Sequence, residues 1–303
     1  MLDEVLEHLI TTKHGMYVDG TLGGGGHAEH IVERIFPEGS LIGIDADSDA
    51  VTEAKRRLHR FHPNVQVVHS NTDQIATVLR SRNITAVNGL LLDLGVSSYQ
   101  LDEESKGFSF RGHQRLDMRM DQRQTLDAHE VINTYDEHRL SKIFWEYGEE
   151  RFSRKIARAI ITAREMKTIE TTGELADIVG ATIKGPMRVK TLARIFQGIR
   201  IEVNDELERL KIILNDSLDF LADGARIVVI AYHSLEDRIV KQFFQKHAAT
   251  SIPSGNKYLP DTPCNPKLRI ITKRPMTATE EEIVGNPRAR SAKMRVAERI
   301  LEH

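Results

Sequence analysis

Two acids and a run of glycines mark where this sequence could do chemistry. Asp19-Gly20-Thr21-Leu22-Gly23-Gly24-Gly25-Gly26-His27 follows a short apolar run and leads directly into an amphipathic stretch. Glycines at 23, 25 and 26 let a bulky ligand lie against the backbone, where side chains would block it. Asp45 closes the next apolar run, twenty residues after Gly25. A carboxylate at that distance can accept both hydroxyls of a ribose, so the pair of features points to a nucleoside-bearing cofactor above the carboxyl ends of parallel strands.

The spacing alone leaves two cofactors open. Gly23, Gly25 and Ala28 fit the G-x-G-x-x-A fingerprint of nicotinamide dinucleotides, and an oxidoreductase stays as an alternative on that ground. Asp19 argues the other way: an acid ahead of the glycines repels a pyrophosphate and suits the ammonium group of a methionine moiety. S-adenosyl-L-methionine is therefore the expected cofactor. The order of residues also resembles the D-P-F-x-G-x-G pattern of enzymes that methylate exocyclic amines, with Gly20-Thr21 standing for the Pro-Phe pair.

These residues need a sheet to carry them, and the flanking pattern supplies one. Apolar runs at 16–22, 41–46, 65–71 and 87–95 read as strands, alternating with helical periods at 27–36, 48–61 and 73–82 after a leading helix at 2–13. That alternation predicts an α/β fold of right-handed crossovers, and with the cofactor expected from Asp19 it makes a Rossmann-like class I methyltransferase domain the expected fold. Beyond Gly95 the strand rhythm stops, and helical patterns at 136–164 and 171–183 follow. It resumes with a helix at 196–222 and strands at 225–232 and 268–274, with residues 249–267 as loop. The expected domains are 1–102 with 196–303, and a helical insertion over 103–195. Composition fits a soluble, cytoplasmic protein: 303 residues, 40% apolar, 28% charged, no apolar run long enough for a bilayer, and Cys264 as the one cysteine. Residues 1–104 hold 8 basic against 16 acidic residues, a net of −8, while the remainder holds 34 against 28, a net of +6. A polyanion should therefore meet the later part of the chain first. The histidines show no metal-ligand spacing backed by carboxylates, so no metal is expected.

The fourth strand delivers Leu91-Leu92-Asp93-Leu94-Gly95-Val96-Ser97-Ser98-Tyr99-Gln100-Leu101-Asp102. After it come Gly107-Phe108-Ser109-Phe110, Leu116-Asp117-Met118-Arg119-Met120-Asp121, Phe196-Gln197 and Ile199-Arg200-Ile201-Glu202-Val203-Asn204-Asp205-Glu206-Leu207. The series ends with His233-Ser234-Leu235-Glu236-Asp237-Arg238-Ile239-Val240-Lys241 and Asn286-Pro287-Arg288-Ala289-Arg290-Ser291-Ala292-Lys293. In order and content these blocks resemble the bacterial 16S ribosomal RNA (cytosine-N4)-methyltransferases, the MraW/RsmH family, over nearly the whole chain. The resemblance implies that Gly25, Gly26 and His27 contact the cofactor, that Asp45 binds its ribose, and that Asp93 and Gln100 line the same site. It implies a decoding-site cytidine of 16S ribosomal RNA, within the small subunit, as the target. Thr72 departs from the pattern, because the family usually has Phe there to flank the adenine and a threonine cannot stack. Lys190-Thr191 stands where His-Pro is usual, and the chain starts after the family's His-x-x-Val opening.

Transfer from a sulfonium is an in-line displacement whose barrier falls mainly through alignment. The lone pair of a cytosine amino group is delocalised into the ring and must be turned toward the methyl by acceptors for its N–H groups. Asp93, Ser97 and Ser98 are the candidates, with Tyr99 as a stacking surface. His233 is a candidate substrate contact or else a packed histidine, and Ser234 and Asp237 after it suit a helix cap. Arg151, Arg154, Lys155 and Arg158, beside the apolar Phe152, Ile156 and Ile160, form one candidate RNA stripe, and Arg288, Arg290, Lys293 and Arg295 a second. Self-association stays open, and so does a non-catalytic RNA-binding assembly factor, for which Thr72 and Lys190-Thr191 are the support.

Overall fold

The computed structural model describes residues 1–95, 106–256 and 258–301. It divides the chain into two compact units, Met1–Gly95 with Leu207–His303, and Val96–Glu206.

In the first unit, β1 (Met16–Asp19), β2 (Ser40–Asp45), β3 (Val65–His69), β4 (Val87–Asp93) and β5 (Leu221–Ala231) pair in parallel in the order β3-β2-β1-β4-β5. The order reverses between β1 and β4, and a ligand crevice in a doubly wound sheet opens at the carboxyl ends beside such a reversal. Side-chain alternation covers the sheet on both faces. Tyr17, Leu41, Leu91 and Val228 pack with Ile31 and Ile35 of α2 (Gly26–Ile35) and Ala54 and Leu58 of α3 (Ser48–Leu58). Val18, Ile42, Leu90, Leu92, Ile227 and Val229 pack on the other face with Leu79, Leu214 and Phe244. Each such side chain contributes about 1.5–3 kcal/mol on burial, and a slip of one residue would turn a strand's whole set to the wrong face. Packing on both faces therefore fixes the register that sets the strand ends.

The second unit is helical: Ala128–Thr134, Glu137–Glu146, Ser153–Met166, Thr172–Thr182 and Arg188–Asn204. The Leu116–Asp121 block is tied into this unit by Asn204, whose side chain donates to Met118 O at 2.8 Å and accepts from Met120 N at 2.8 Å. Asp117 in turn accepts from Arg119 Nε and Nη2. A motif that the resemblance marks is thus a packing knot, with its polar groups spent on one another.

Several boundaries differ from the sequence reading. The single helix expected at 136–164 is two, broken where Glu149 takes φ +49° and Gly148 packs against Arg194 O and Phe144 O too closely for a side chain. The helix expected at 196–222 is also two, with Asp205 in the left-handed region at φ +50° between Arg188–Asn204 and Glu206–Ser217. The sequence pattern bounds the insertion at 103 and 195, whereas the compact unit that contains these helices is Val96–Glu206. Leu192, Ile195, Phe196, Ile199 and Val203 lie on one helix and are all buried in the helical core, so the chain cannot be divided at 195.

A strand was missed altogether. Lys293–Arg299 lies antiparallel against β5 and carries Leu268–Ile270 on its far edge. Lys293 and Arg295 of this strand belong to the second RNA stripe expected from the sequence, and for Arg295 the structure corrects that. Arg295 is 8% exposed, and its guanidinium donates to both carboxylate oxygens of Asp237 at 2.6 and 3.2 Å. Lys293 Nζ lies 3.9 Å from the same carboxylate. Asp237 therefore holds a buried arginine and is not a helix cap. The cap of Ser234–His247 begins one residue earlier than expected, at His233, whose ring accepts from Glu236 N while Glu236 accepts from His233 N. Asp237→Ala should lower unfolding free energy in urea by about 3–5 kcal/mol, because it leaves the Arg295 cation buried and unpaired. A loss below about 1 kcal/mol would mean that water reaches the guanidinium, as at a surface pair.

Candidate functional site

The turn after β1 is fastened to two neighbouring strand ends. Gly20 N donates to Leu91 O and Leu22 N to Ile44 O, which carries the turn across β4 and β2. A side chain at Gly20 would meet Leu92 at 2.7 Å and Thr72 at 2.9 Å, so only glycine permits that approach. Gly25 caps α2 with φ +82°, a conformation that costs other residues strain. Gly26 and His27 then open the helix, in the first turn whose amides have no intrahelical acceptor.

Asp45 and Asp93 use their carboxylates differently. Asp45 accepts from Gly23 N at 2.7 Å on one oxygen and from Asp47 N at 2.9 Å on the other, which locks its plane. Asp93 has its amide held by Thr21 Oγ at 2.6 Å. Its carboxylate accepts from the Tyr232 hydroxyl at 2.9 Å and lies 3.4 Å from His27 Nε2. Burial disfavours the His27 imidazolium, but the bond to Asp93 and the charges of Asp93 and Asp19 outweigh it and raise its pKa.

Asp19 is the electrostatic anomaly. It is 1% exposed, and its one hydrogen bond among the described residues comes from Thr21 N at 3.2 Å. Burial pushes its carboxyl up from 3.8 to about 7, against the lowering pull of His27 and the Thr21 amide. A buried acid without a full cationic partner suits a ligand that brings its own ammonium group. The residues present thus fit S-adenosylmethionine: an acid for the ammonium, an oriented carboxylate for the ribose, and glycine backbone between them.

The sequence-predicted residues fall as follows. Asp19, Gly23, Gly25, Gly26, His27, Asp45 and Asp93 come together at the carboxyl ends of β1, β2 and β4. Thr72 joins them, and its hydroxyl donates to Gly20 O. Threonine at this position therefore fastens the turn, a task an aromatic ring could not perform. Ser97, Ser98, Tyr99 and Gln100 lie outside the described residues. His233 is packed as a helix cap, its side chain 9% exposed with Nε2 3.2 Å from Glu236 Oε1. Among the basic candidates, Arg151, Arg154, Arg288 and Arg290 are exposed, while Lys155 donates to Thr182 O and Arg158 to Glu137. Phe152, on the apolar side of that stripe with Ile156 and Ile160, is 46% exposed, whereas the two isoleucines are buried. Two residues were missed, Thr21 and Tyr232. The signal for Tyr232 was a polar-tipped ring at the end of an apolar strand, next to the acid ending the neighbouring strand.

Asp19→Asn tests the anomaly by pH. A carboxyl whose pKa is raised on folding favours the native state below about 3.8, and that advantage is lost as pH rises through about 7. The variant should therefore melt above the parent chain near pH 8 and level with it near pH 4, while binding S-adenosylhomocysteine at least about tenfold more weakly. Equal melting at pH 8 would show that the carboxyl is not penalised by burial.

Comparison with known proteins agrees with this geometry. The model of the MraW methylase family matches residues 1–300. A protein of Caldicellulosiruptor bescii named ribosomal RNA small subunit methyltransferase H is 46% identical over 303 residues, covering 99% of this chain and 98% of its own. Proteins of the same name are 47% identical in Dehalococcoides mccartyi, covering 100% and 86%, and 44% identical in Clostridioides difficile, covering 99% and 97%. The nicotinamide alternative has no place beside a methylase match of this length. The chain belongs to the MraW methylase family of S-adenosyl-L-methionine-dependent methyltransferases.

Proposed function

We propose that this chain methylates N4 of the decoding-site cytidine in 16S ribosomal RNA of the small subunit, in the cytoplasm where that subunit is made. The observation that carries the reading is the buried Asp19 beside Asp45 and Asp93, an arrangement that pairs a seat for a cationic amino acid with acceptors for a ribose and an amine. The names of relatives at 44–47% identity along the whole chain support the RNA side.

S-adenosylmethionine, when bound, supplies a methyl group already activated on sulfur. Asp19 would hold its ammonium, Asp45 its ribose, and the amides of Gly25, Gly26 and His27 the chain between them, with Gln100 and Thr72 beside it. Asp93, with Ser97 and Ser98, would accept the cytosine N–H bonds and turn the amino lone pair toward the methyl. The site needs no base before transfer, because the amine attacks as the neutral group. Arg151 and Arg154, and Arg288 and Arg290, would meet phosphates, with the helical insertion as the RNA-substrate domain. Exposed Phe152, lying between Arg151 and Arg154 in sequence, is suited to stack on an unpaired base.

Incubation with donor and with small subunits lacking the modification, followed by digestion to nucleosides, should yield N4-methylcytidine. An unmodified digest would leave an assembly factor without transfer activity, and a different methylated nucleoside would overturn the assigned atom. Reversing Arg151 and Arg154 to Glu should weaken subunit binding by about tenfold or more and flatten its salt dependence, with S-adenosylhomocysteine affinity unchanged.

A further inference from the structure

Asp93 does its proposed work only if its carboxylate points in one direction, and neither its own torsions nor its backbone amide fixes that direction. Two side chains do. His27 Nε2 lies 3.4 Å from Oδ2, and the Tyr232 hydroxyl donates to Oδ1 at 2.9 Å from the end of the adjacent strand β5. With one donor on each oxygen, rotation of the carboxylate breaks at least one bond. The outward lone pairs are then the ones left for a ligand.

Tyr232 is itself unusually well held. Its amide donates to Glu236 Oε2 at 2.9 Å, the same carboxylate oxygen that caps the helix Ser234–His247. Its ring lies against Gly95, where an added Cβ would already be 3.4 Å from Cδ2. Burial, with the nearby Asp93 carboxylate, raises the phenol's pKa, so the hydroxyl keeps its proton and remains a donor. None of these contacts is needed to close the sheet: β5 ends at Ala231, one residue earlier.

We infer that Tyr232 is a positioning residue for methyl transfer, setting the direction in which Asp93 presents its acceptor oxygens to the amine. This rests on the reading of Asp93 given under the proposed function. It assigns to the β5 end a task beyond packing. Tyr232 touches neither donor nor acceptor in this scheme, and acts only through Asp93.

The test uses the full chain with small subunits and S-adenosylmethionine. Tyr232→Phe keeps the ring and removes the donor. Single-turnover transfer should fall about 10- to 100-fold, the loss typical of removing an outer partner of a working group. The dissociation constant of S-adenosylhomocysteine should stay within about threefold of the parent value, which separates misdirection of Asp93 from a damaged cofactor site. Added to Asp93→Asn, the same change should cost less than about twofold, because the group it orients is already gone. Unchanged transfer in Tyr232→Phe, or a full and independent loss on top of Asp93→Asn, would overturn the inference. Should Tyr232→Phe not fold, 4-fluorophenylalanine at 232 carries the test: it fills the space of the hydroxyl but cannot donate, and a transfer rate equal to the parent's would overturn the inference while a reduced rate at constant S-adenosylhomocysteine affinity supports it. Failure of the unaltered chain to make N4-methylcytidine would instead refute the proposed function and leave the Tyr232–Asp93 contact without that task.

Discussion

The turn after β1 must come within hydrogen-bond reach of β2 and β4 at the same time, and the carboxyl edge of the sheet is organised around that constraint. Gly20 makes the approach to β4 by having no side chain where Leu92 and Thr72 stand. Gly23 makes the approach to β2 by donating to Asp45 at 2.7 Å. Thr21 and Thr72 then fasten the turn from either side, one through Asp93 N and the other through Gly20 O. With the backbone drawn in this far, Asp19 is left 1% exposed, and burial raises its pKa. Above about pH 7 that burial costs the native state stability.

The helical unit obeys a different economy. Its polar motifs are mostly satisfied internally: Asn204 bridges Met118 and Met120, Arg119 closes on Asp117, and Arg123 on Asp121. Arg151 and Arg154 are among its exposed basic side chains, and Phe152 between them in sequence is 46% exposed.

Much of this was legible in the sequence because it depends on local pattern. Alternating apolar runs located β1 to β5, since a sheet covered on both faces leaves few polar positions within a strand. Glycine spacing located the turn that is drawn against β2 and β4, since close backbone approach excludes other residues. The misses are tertiary. Lys293–Arg299 alternates charged and apolar residues, and Arg295 reads as a surface base until Asp237, 58 residues away in sequence, is brought to it. His233 carries a capping role that Ser234 was expected to fill, because a histidine ring is an uncommon cap. Asp205 and Glu149 break helices through left-handed backbone at residues other than glycine, and nothing in the periodicity marks them. Tyr232 acquires its meaning only from the strand beside it.

A crystal structure of the chain with S-adenosylhomocysteine tests the central claim most directly. The account requires the ribose hydroxyls within hydrogen-bond distance of both Asp45 oxygens and the amino acid's ammonium beside Asp19, with the turn after β1 unchanged. Adenosine bound elsewhere, or an ammonium facing solvent while Asp19 stays enclosed by protein, would contradict it.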